Sequence, residues 1–170
     1  MHMNNVDTEK IKAFAAEVQA DSGKAKKTKK VVVEWQMQDA QLKATLEYPA
    51  GKSVLVADMA PALGGKGRAP DPVQYCLFGT ASCYAATFAT IASEKGIVIQ
   101  SLRVTAENCV NLSQTLGMND APIVERVSIT VEIQSSARRE ELEQIKLLTN
   151  QRCPGMYCLT HAIPVDVKIA

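Results

Sequence analysis

GGKGRAPDPVQYCLFGTASCYAATFATIASEKG, residues 64–96, decides the fold. Its glycines and prolines, with those of the preceding residues, exclude regular structure over residues 61–72. Asp71-Pro72 then has the form of a helix start, with Asp at the cap and Pro at the first helical position. From Pro72 to Ser93 there is no charged residue, and Gly96 is a natural terminator. A long helix from about Pro72 to Lys95 is predicted. Such a run is long enough to cross a bilayer. Gln74, Gly79, Thr80, Ser82, Thr87, Thr90 and Ser93 interrupt it, however, and large aliphatics are few. A helix buried on all sides in protein is the better reading, with no membrane partner.

Outward from this helix the period changes to two. Val31, Val33 and Trp35 alternate with Val32, Glu34 and Gln36. Leu42, Ala44, Leu46 and Tyr48 form a second strand after a turn at Asp39-Ala40, and residues 53–59 a third after Pro49-Ala50-Gly51. An antiparallel meander joins them most simply. Beyond the helix, residues 98–112 and 123–133 alternate again around a loop with Gly117, Asn119 and Pro122. Residues 136–150 carry Leu142, Ile145 and Leu148 on one helical stripe. Cys153-Pro154 opens a short further helix, and residues 164–169 read as a closing strand. The order β-β-β-α-β-β-α-β is α+β, not doubly wound. GGKG lacks the spacing and the Ser/Thr of a phosphate loop.

Residues 1–30 form a separate region. Ile11, Phe14, Ala15 and Val18 predict an amphipathic helix over 7–19 capped by Asp7 or Thr8, and SGKAKKTKK, residues 22–30, reads as a solvated linker. His2 falls in a tail expected to be mobile. No aromatics interleave with the lysines, so a single-strand nucleic-acid site is not indicated. A length of 170 residues, a net charge of +1 and 22% charged residues fit one globular domain over 31–170 with no polyanionic partner. The N-terminus lacks the basic start and apolar run of a secretory signal, so a cytoplasmic location is expected.

Five cysteines, an odd number in a chain of this length, do not read as a disulfide scaffold. Cys153 precedes a proline and therefore sits at a helix N-cap, where unpaired N–H groups and the helix dipole would favour its thiolate. The plainer reading is a small buried residue before a helix. Cys158 and His161 follow at C-x4-C-x2-H spacing, a loose pattern for a metal site. Packing for Cys158 and capping or solvent exposure for His161 are favoured, and no metal or other cofactor is expected. Cys76 and Cys83 share one face of the long helix, far from any dipole end, and Cys109 lies on a strand. By themselves all three read as core.

Two stretches together resemble a known family. GGKGRAPDPVQYCLFGTASCYAAT, residues 64–87, is similar to the OsmC/Ohr signature, a glycine-rich loop and proline before a central helix with a peroxidatic cysteine. RCPGMYCLTHAIPVDVKI, residues 152–169, resembles that family's C-terminal motif, a Cys-Pro pair with the resolving cysteine and a last strand. The element order agrees over residues 31–170. The resemblance implies antiparallel β-sheets around two buried helices in an intertwined homodimer. It also implies reduction of organic hydroperoxides: Cys83 attacks the peroxide, Cys153 resolves the sulfenic acid, and a dithiol reductant resets the pair.

Two positions depart from the family pattern. The glutamate ten residues before the peroxidatic cysteine is Val73 here, and residues 29–48 supply no arginine, only Lys29, Lys30 and Lys43. Arg68 or Lys66 would then serve as the activating cation. The alternative reading is a non-catalytic dimer of this fold that binds a small apolar ligand beside Cys83.

Overall fold

The computed structural model describes residues 2–169. The elements run β1 (His2–Met3), β2 (Val6–Asp7), α1 (Thr8–Ala20), β3 (Val33–Trp35), β4 (Leu42–Tyr48), β5 (Gly51–Ala57), α2 (Pro72–Glu94), β6 (Ile99–Val110), β7 (Val124–Ser135), α3 (Arg139–Arg152) and α4 (Pro154–Thr160). All strand pairs are antiparallel. The fold is α+β, as the order of elements predicts. The described residues divide into two compact units, one of residues 2–13 and 77–169, the other of residues 14–76.

The smaller unit contains the sheet β3-β4-β5. Pro49 and Ala50 form the two-residue connection, with Tyr48 opposite Gly51. The left-handed Asp39 makes the preceding turn. After β5 the loop wraps around Asp58, which is buried. Asp58 Oδ2 accepts hydrogen bonds from the Lys66 N–H at 3.2 Å and the Arg68 N–H at 2.9 Å. These donors hold its carboxyl below the usual range, led by Arg68. Loop closure is tight at Gly65, where a Cβ would lie 1.8 Å from the Met59 carbonyl oxygen, so no other residue fits.

The larger unit packs α2 and α3 on the two-stranded sheet β6-β7. Its core is Tyr84, Phe88, Ile91, Ala92, Ile145 and Cys153, with Leu102, Val104, Ile129, Val131 and Leu142 against it. Both ends of α2 follow the chemistry of its terminal residues. Asp71 Oδ1 accepts from the Gln74 N–H and Gln74 Oε1 from the Asp71 N–H, each at 2.9 Å, a reciprocal cap. At the other end Gly96, at φ 72°, and Ile97 donate to the Ser93 and Ala92 carbonyls, closing a Schellman turn.

Several expectations are corrected. α2 is not buried on all sides: its buried residues are confined to Tyr84, Phe88, Ile91, Ala92 and Ser93, and Phe78 in its first half is 69% exposed. The helix is long and apolar enough to cross a membrane by length and composition. Its buried half nevertheless belongs to the protein core. Residues 162–169 form no strand among the described residues. Residues 2–7, near the N-terminus, form a short hairpin rather than a tail. Asn4 and Asn5 both have positive φ, making the turn of a short hairpin. Asn4 Nδ2 donates to Ser93 Oγ and to the Ile97 carbonyl, while Asn4 Oδ1 accepts from the Ile99 N–H. His2 lies in that hairpin, 3.6 Å from the Asp7 carboxylate. Asp7 caps α1, as predicted, accepting from the Glu9 and Lys10 N–H groups.

Candidate active site

Cys83 lies in the middle of α2, and Cys153 is the single residue between α3 and α4. Cys153 cannot continue α3, because the proline after it disfavours a helical conformation at the preceding residue. It takes φ −78° and ψ 118°, capping the end of α3 and the start of α4 at once. Its N–H donates to the Thr149 carbonyl and its own carbonyl accepts from the Tyr157 N–H, both at 2.9 Å. The side chain is driven inward and is 1% exposed.

Gly155, in the first turn of α4, brings the two thiols together. A Cβ built on Gly155 would stand 3.3 Å from Cys83 Cβ, 3.5 Å from Thr80 Cα and 3.7 Å from Cys153 Sγ. The absence of a side chain at Gly155 therefore lets α4 lie directly on α2. The Gly155 N–H favours the Cys83 thiolate, and the neighbouring Cys153 side chain disfavours it. This alters the expected capping. Cys153 occupies the N-cap, but its sulfur makes no cap hydrogen bond.

The electrostatics of Cys83 oppose easy ionisation. Burial raises its pKa above the ordinary thiol range. The Gly155 N–H acts in the other direction, and the neighbouring Cys153 and Cys158 raise the pKa further. Tyr84 is raised too, by burial first and then by Cys153 and Glu143. Its hydroxyl donates to Asn150 Oδ1 at 2.8 Å and ties α2 to α3 beside the thiols.

The remaining candidates fall elsewhere. Arg68 and Lys66 belong to the smaller unit. There the Arg68 guanidinium lies 3.7 Å from the Asp39 carboxylate and Lys66 Nζ donates to the Asp39 carbonyl. Val73 is in the first turn of α2 and is partly exposed. Cys76, Cys109 and Cys158 are exposed, against the core reading made for the first two and the packed reading of the third. Cys109 falls on the face of β6 opposite Leu102 and Val104, which is not covered, and its sulfur points to Glu125 Oε2 at 3.6 Å. His161 caps α4 and stacks on Tyr157 at 4.0 Å, as capping predicted. Among the described residues no group of three or more His, Cys, Asp or Glu is placed to hold a metal ion.

A groove of about 800 Å³ lies between β7 and the helices α3 and α4. Tyr84 and Cys158 line it; Cys83 and Cys153 are not among its lining residues. The residues that sequence reasoning missed are Gly155, Tyr84 and Asn150. For Gly155 a signal existed, a glycine directly after Cys-Pro at a helix start. For the Tyr84–Asn150 pair none did, because their separation along the chain hides it.

A family model described as OsmC-like protein matches residues 65–168. No curated protein matches the chain. Among solved structures it is similar to an OsmC-like protein from Mycoplasma pneumoniae, with 20% identity, a TM-score of 0.59 and coverage of 78% of this chain and 87% of that one. It is similar also to an osmotic-stress-induced and detoxification-response protein of Psychrobacter arcticus, with 18% identity, a TM-score of 0.61 and coverage of 78% and 89%. A third is an organic hydroperoxide resistance protein OsmC from Legionella pneumophila, with 17% identity, a TM-score of 0.55 and coverage of 79% and 92%. At these identities the structures speak for the fold, and the family model, which spans more than half of the residues, speaks for descent. The chain belongs to the OsmC-like protein family.

Proposed function

We propose that this protein is a thiol peroxidase that reduces organic hydroperoxides through Cys83 and Cys153. One observation carries the reading: Cys83 and Cys153, remote in sequence, meet across Gly155 in one largely buried neighbourhood. In the proposed cycle the Cys83 thiolate attacks the outer peroxide oxygen. An S–O bond forms, the O–O bond breaks, and the alkoxide leaves and takes a proton to become the alcohol. The resulting sulfenic acid meets the Cys153 thiol; an S–S bond forms and water departs. A dithiol reductant then exchanges with this disulfide, returning both thiols and leaving oxidised itself.

Cys83 must lose its proton against the pull of burial. We assign help in that step to the Gly155 N–H and to Arg68 or Lys66, cations supplied by the loop before α2. Replacing either cation by alanine should slow peroxide reduction, and an unchanged rate for both would remove them from the mechanism.

The working form is a homodimer in the cytoplasm. The exposed first half of α2 with Phe78, and the exposed Val33, Trp35 and Val54 of the β3-β4-β5 sheet, support a partner surface. Five cysteines without a disulfide suit a reducing compartment.

The test is turnover of an organic hydroperoxide with a dithiol reductant, together with mass spectrometry after one equivalent of oxidant. A Cys83–Cys153 linkage and loss of turnover in Cys83→Ser are expected. Full activity in Cys83→Ser would overturn the mechanism. The raised Cys83 pKa favours a second reading, a non-catalytic dimer that binds a small apolar ligand. Negligible turnover with a co-purifying ligand would decide for it.

A further inference from the structure

A disulfide between Cys83 and Cys153 is hard to reach from solution. Cys153 is 1% exposed and Cys83 is half-buried. Thiol–disulfide exchange requires the attacking sulfur to meet one of the two bonded sulfurs, so access sets its rate. A third thiol stands beside the pair. Gly155 faces Cys83 across the contact of α4 with α2, where its Cβ position lies 3.3 Å from Cys83 Cβ. Cys158 follows one helical turn later on α4. Residues three apart share a helix face, with about 5–6 Å between their Cβ positions.

Unlike the pair, Cys158 opens to solvent. It is exposed and lines the groove between β7 and the helices α3 and α4. Tyr84, the residue after Cys83, lines the same groove, which therefore reaches from Cys158 to the turn of α2 that carries Cys83. Cys158 also lies near enough to Cys83 to raise its pKa, as Cys153 does. Neither remaining cysteine can take this place. Cys76 is on the same rigid helix as Cys83, about 10 Å away along the axis, and Cys109 sits on β6. The short helix α4 is suited to move: it has no buried residue and no side-chain cap at its start. A helix of two turns has little stability of its own, and segments with few buried contacts open first.

We propose that Cys158 is a relay thiol, taking the disulfide from the Cys83–Cys153 pair and presenting it to the reductant in the groove. The proposal rests on the peroxidase reading for the origin of that disulfide. Cys158 gives its thiol proton to water, and its sulfur attacks the Cys83 sulfur. The Cys83–Cys158 bond forms, the Cys83–Cys153 bond breaks, and Cys153 leaves as a thiolate that takes up a proton. One sulfur of a dithiol reductant then attacks the Cys158 sulfur in the groove, and Cys83 leaves and is protonated. The second reductant sulfur closes on the first and releases Cys158. Two electrons pass from the reductant to the protein disulfide, and all three cysteines end as thiols. Cys158 is thus a catalytic residue of the reductive half of the cycle, while the attack on peroxide uses Cys83 and Cys153 alone.

The experiment oxidises the full chain with one equivalent of tert-butyl hydroperoxide or, separately, of diamide, a thiol oxidant that needs no peroxidase chemistry. Acid quenching, alkylation and mass spectrometry locate the linkages, and re-reduction by dithiothreitol is timed in the native protein, Cys158→Ser and Cys109→Ser. The expected result is a Cys83–Cys158 linkage beside Cys83–Cys153 in the native protein, and Cys83–Cys158 alone in diamide-treated Cys153→Ser. Re-reduction should be roughly tenfold slower or more in Cys158→Ser and unchanged in Cys109→Ser. The monothiol 2-mercaptoethanol, added to the oxidised native protein, should be caught on Cys158. Native re-reduction in Cys158→Ser, or the monothiol caught on Cys83 or Cys153, would overturn the relay and leave the peroxidase reading standing. A Cys83–Cys153 linkage made by diamide but not by the hydroperoxide would overturn the peroxidase reading, and the re-reduction rates would still decide the relay. No such linkage with either oxidant would overturn both. Should Cys158→Ser fail to fold, Cys153→Ser keeps the test decisive, because the absence of a Cys83–Cys158 linkage there would overturn the relay.

Discussion

Replacing Gly155 by alanine should loosen the contact on which the site depends. The added methyl would stand 3.3 Å from Cys83 Cβ, tighter than most packed contacts, and 3.5 Å from Thr80 Cα, an ordinary van der Waals distance. Cys83 Cβ is fixed to the α2 backbone and cannot turn aside, so α4 must move off α2 by a few tenths of an ångström. Overpacking of this kind costs about 1–3 kcal/mol. Alanine returns about 0.5–1 kcal/mol as the better helix former. The central expectation is a loss of about 1 kcal/mol. With a urea slope of about 1–3 kcal/mol per molar, the unfolding midpoint should fall by roughly 0.3–1 M. Protein concentration is held fixed, because an associating protein changes its apparent stability with concentration. The chemistry should move with the stability. Displacing the Gly155 N–H removes the donor that opposes burial at Cys83, so the Cys83 pKa should rise further. Disulfide formation with Cys153 after one equivalent of hydroperoxide should slow. A midpoint equal to or above that of the native protein, with an unchanged rate of Cys83–Cys153 linkage, would refute the reasoning.

The raised Cys83 pKa also sets a pH dependence. A thiol whose folded pKa lies above its unfolded value of about 8.5 favours the folded state below that value and loses the contribution as pH rises through the folded pKa. Stability measured by urea should therefore decline above about pH 8.5 more steeply in the native protein than in Cys83→Ala. Alkylation of Cys83 should accelerate over the same range, and a rate already level at pH 7 would contradict the burial argument. Tyr84→Phe removes the donor to Asn150 Oδ1 and should cost about 0.5–1.5 kcal/mol by urea unfolding, with no change expected if that contact were incidental. Asp58→Ala should free the loop of residues 59–70, seen as faster proteolysis there, because two N–H donors lose their acceptor. The depressed Asp58 pKa makes the same stabilisation present at neutral pH and lost on acidification, so the native loop should become protease-sensitive as pH falls.

How much of this was legible in the sequence depended on how local the physics is. The α2 boundaries follow from Asp71, Pro72 and Gly96, because capping and chain termination act within a few residues. β4 was read over its full length, 42–48, and β6, β7, α3 and α4 to within a few residues, since alternation and helical stripes are also local signals. The N-terminal hairpin was missed because the Asn4-Asn5 turn is flanked by only two-residue strands, too short to show a period. The closing strand was predicted from a true alternation, but a strand requires a partner edge, and residues 162–169 pair with none among the described residues.

The sequence by itself determined the element order, the helix that bears Cys83, and the capping position of Cys153, because each is a matter of neighbours along the chain. Only the tertiary structure decided that Gly155 lies between the two thiols, that the Cys153 sulfur makes no cap hydrogen bond, and that half of α2 stands uncovered. These depend on which helix faces lie against each other. Such contacts are set by packing between residues far apart in the chain, which no local pattern encodes.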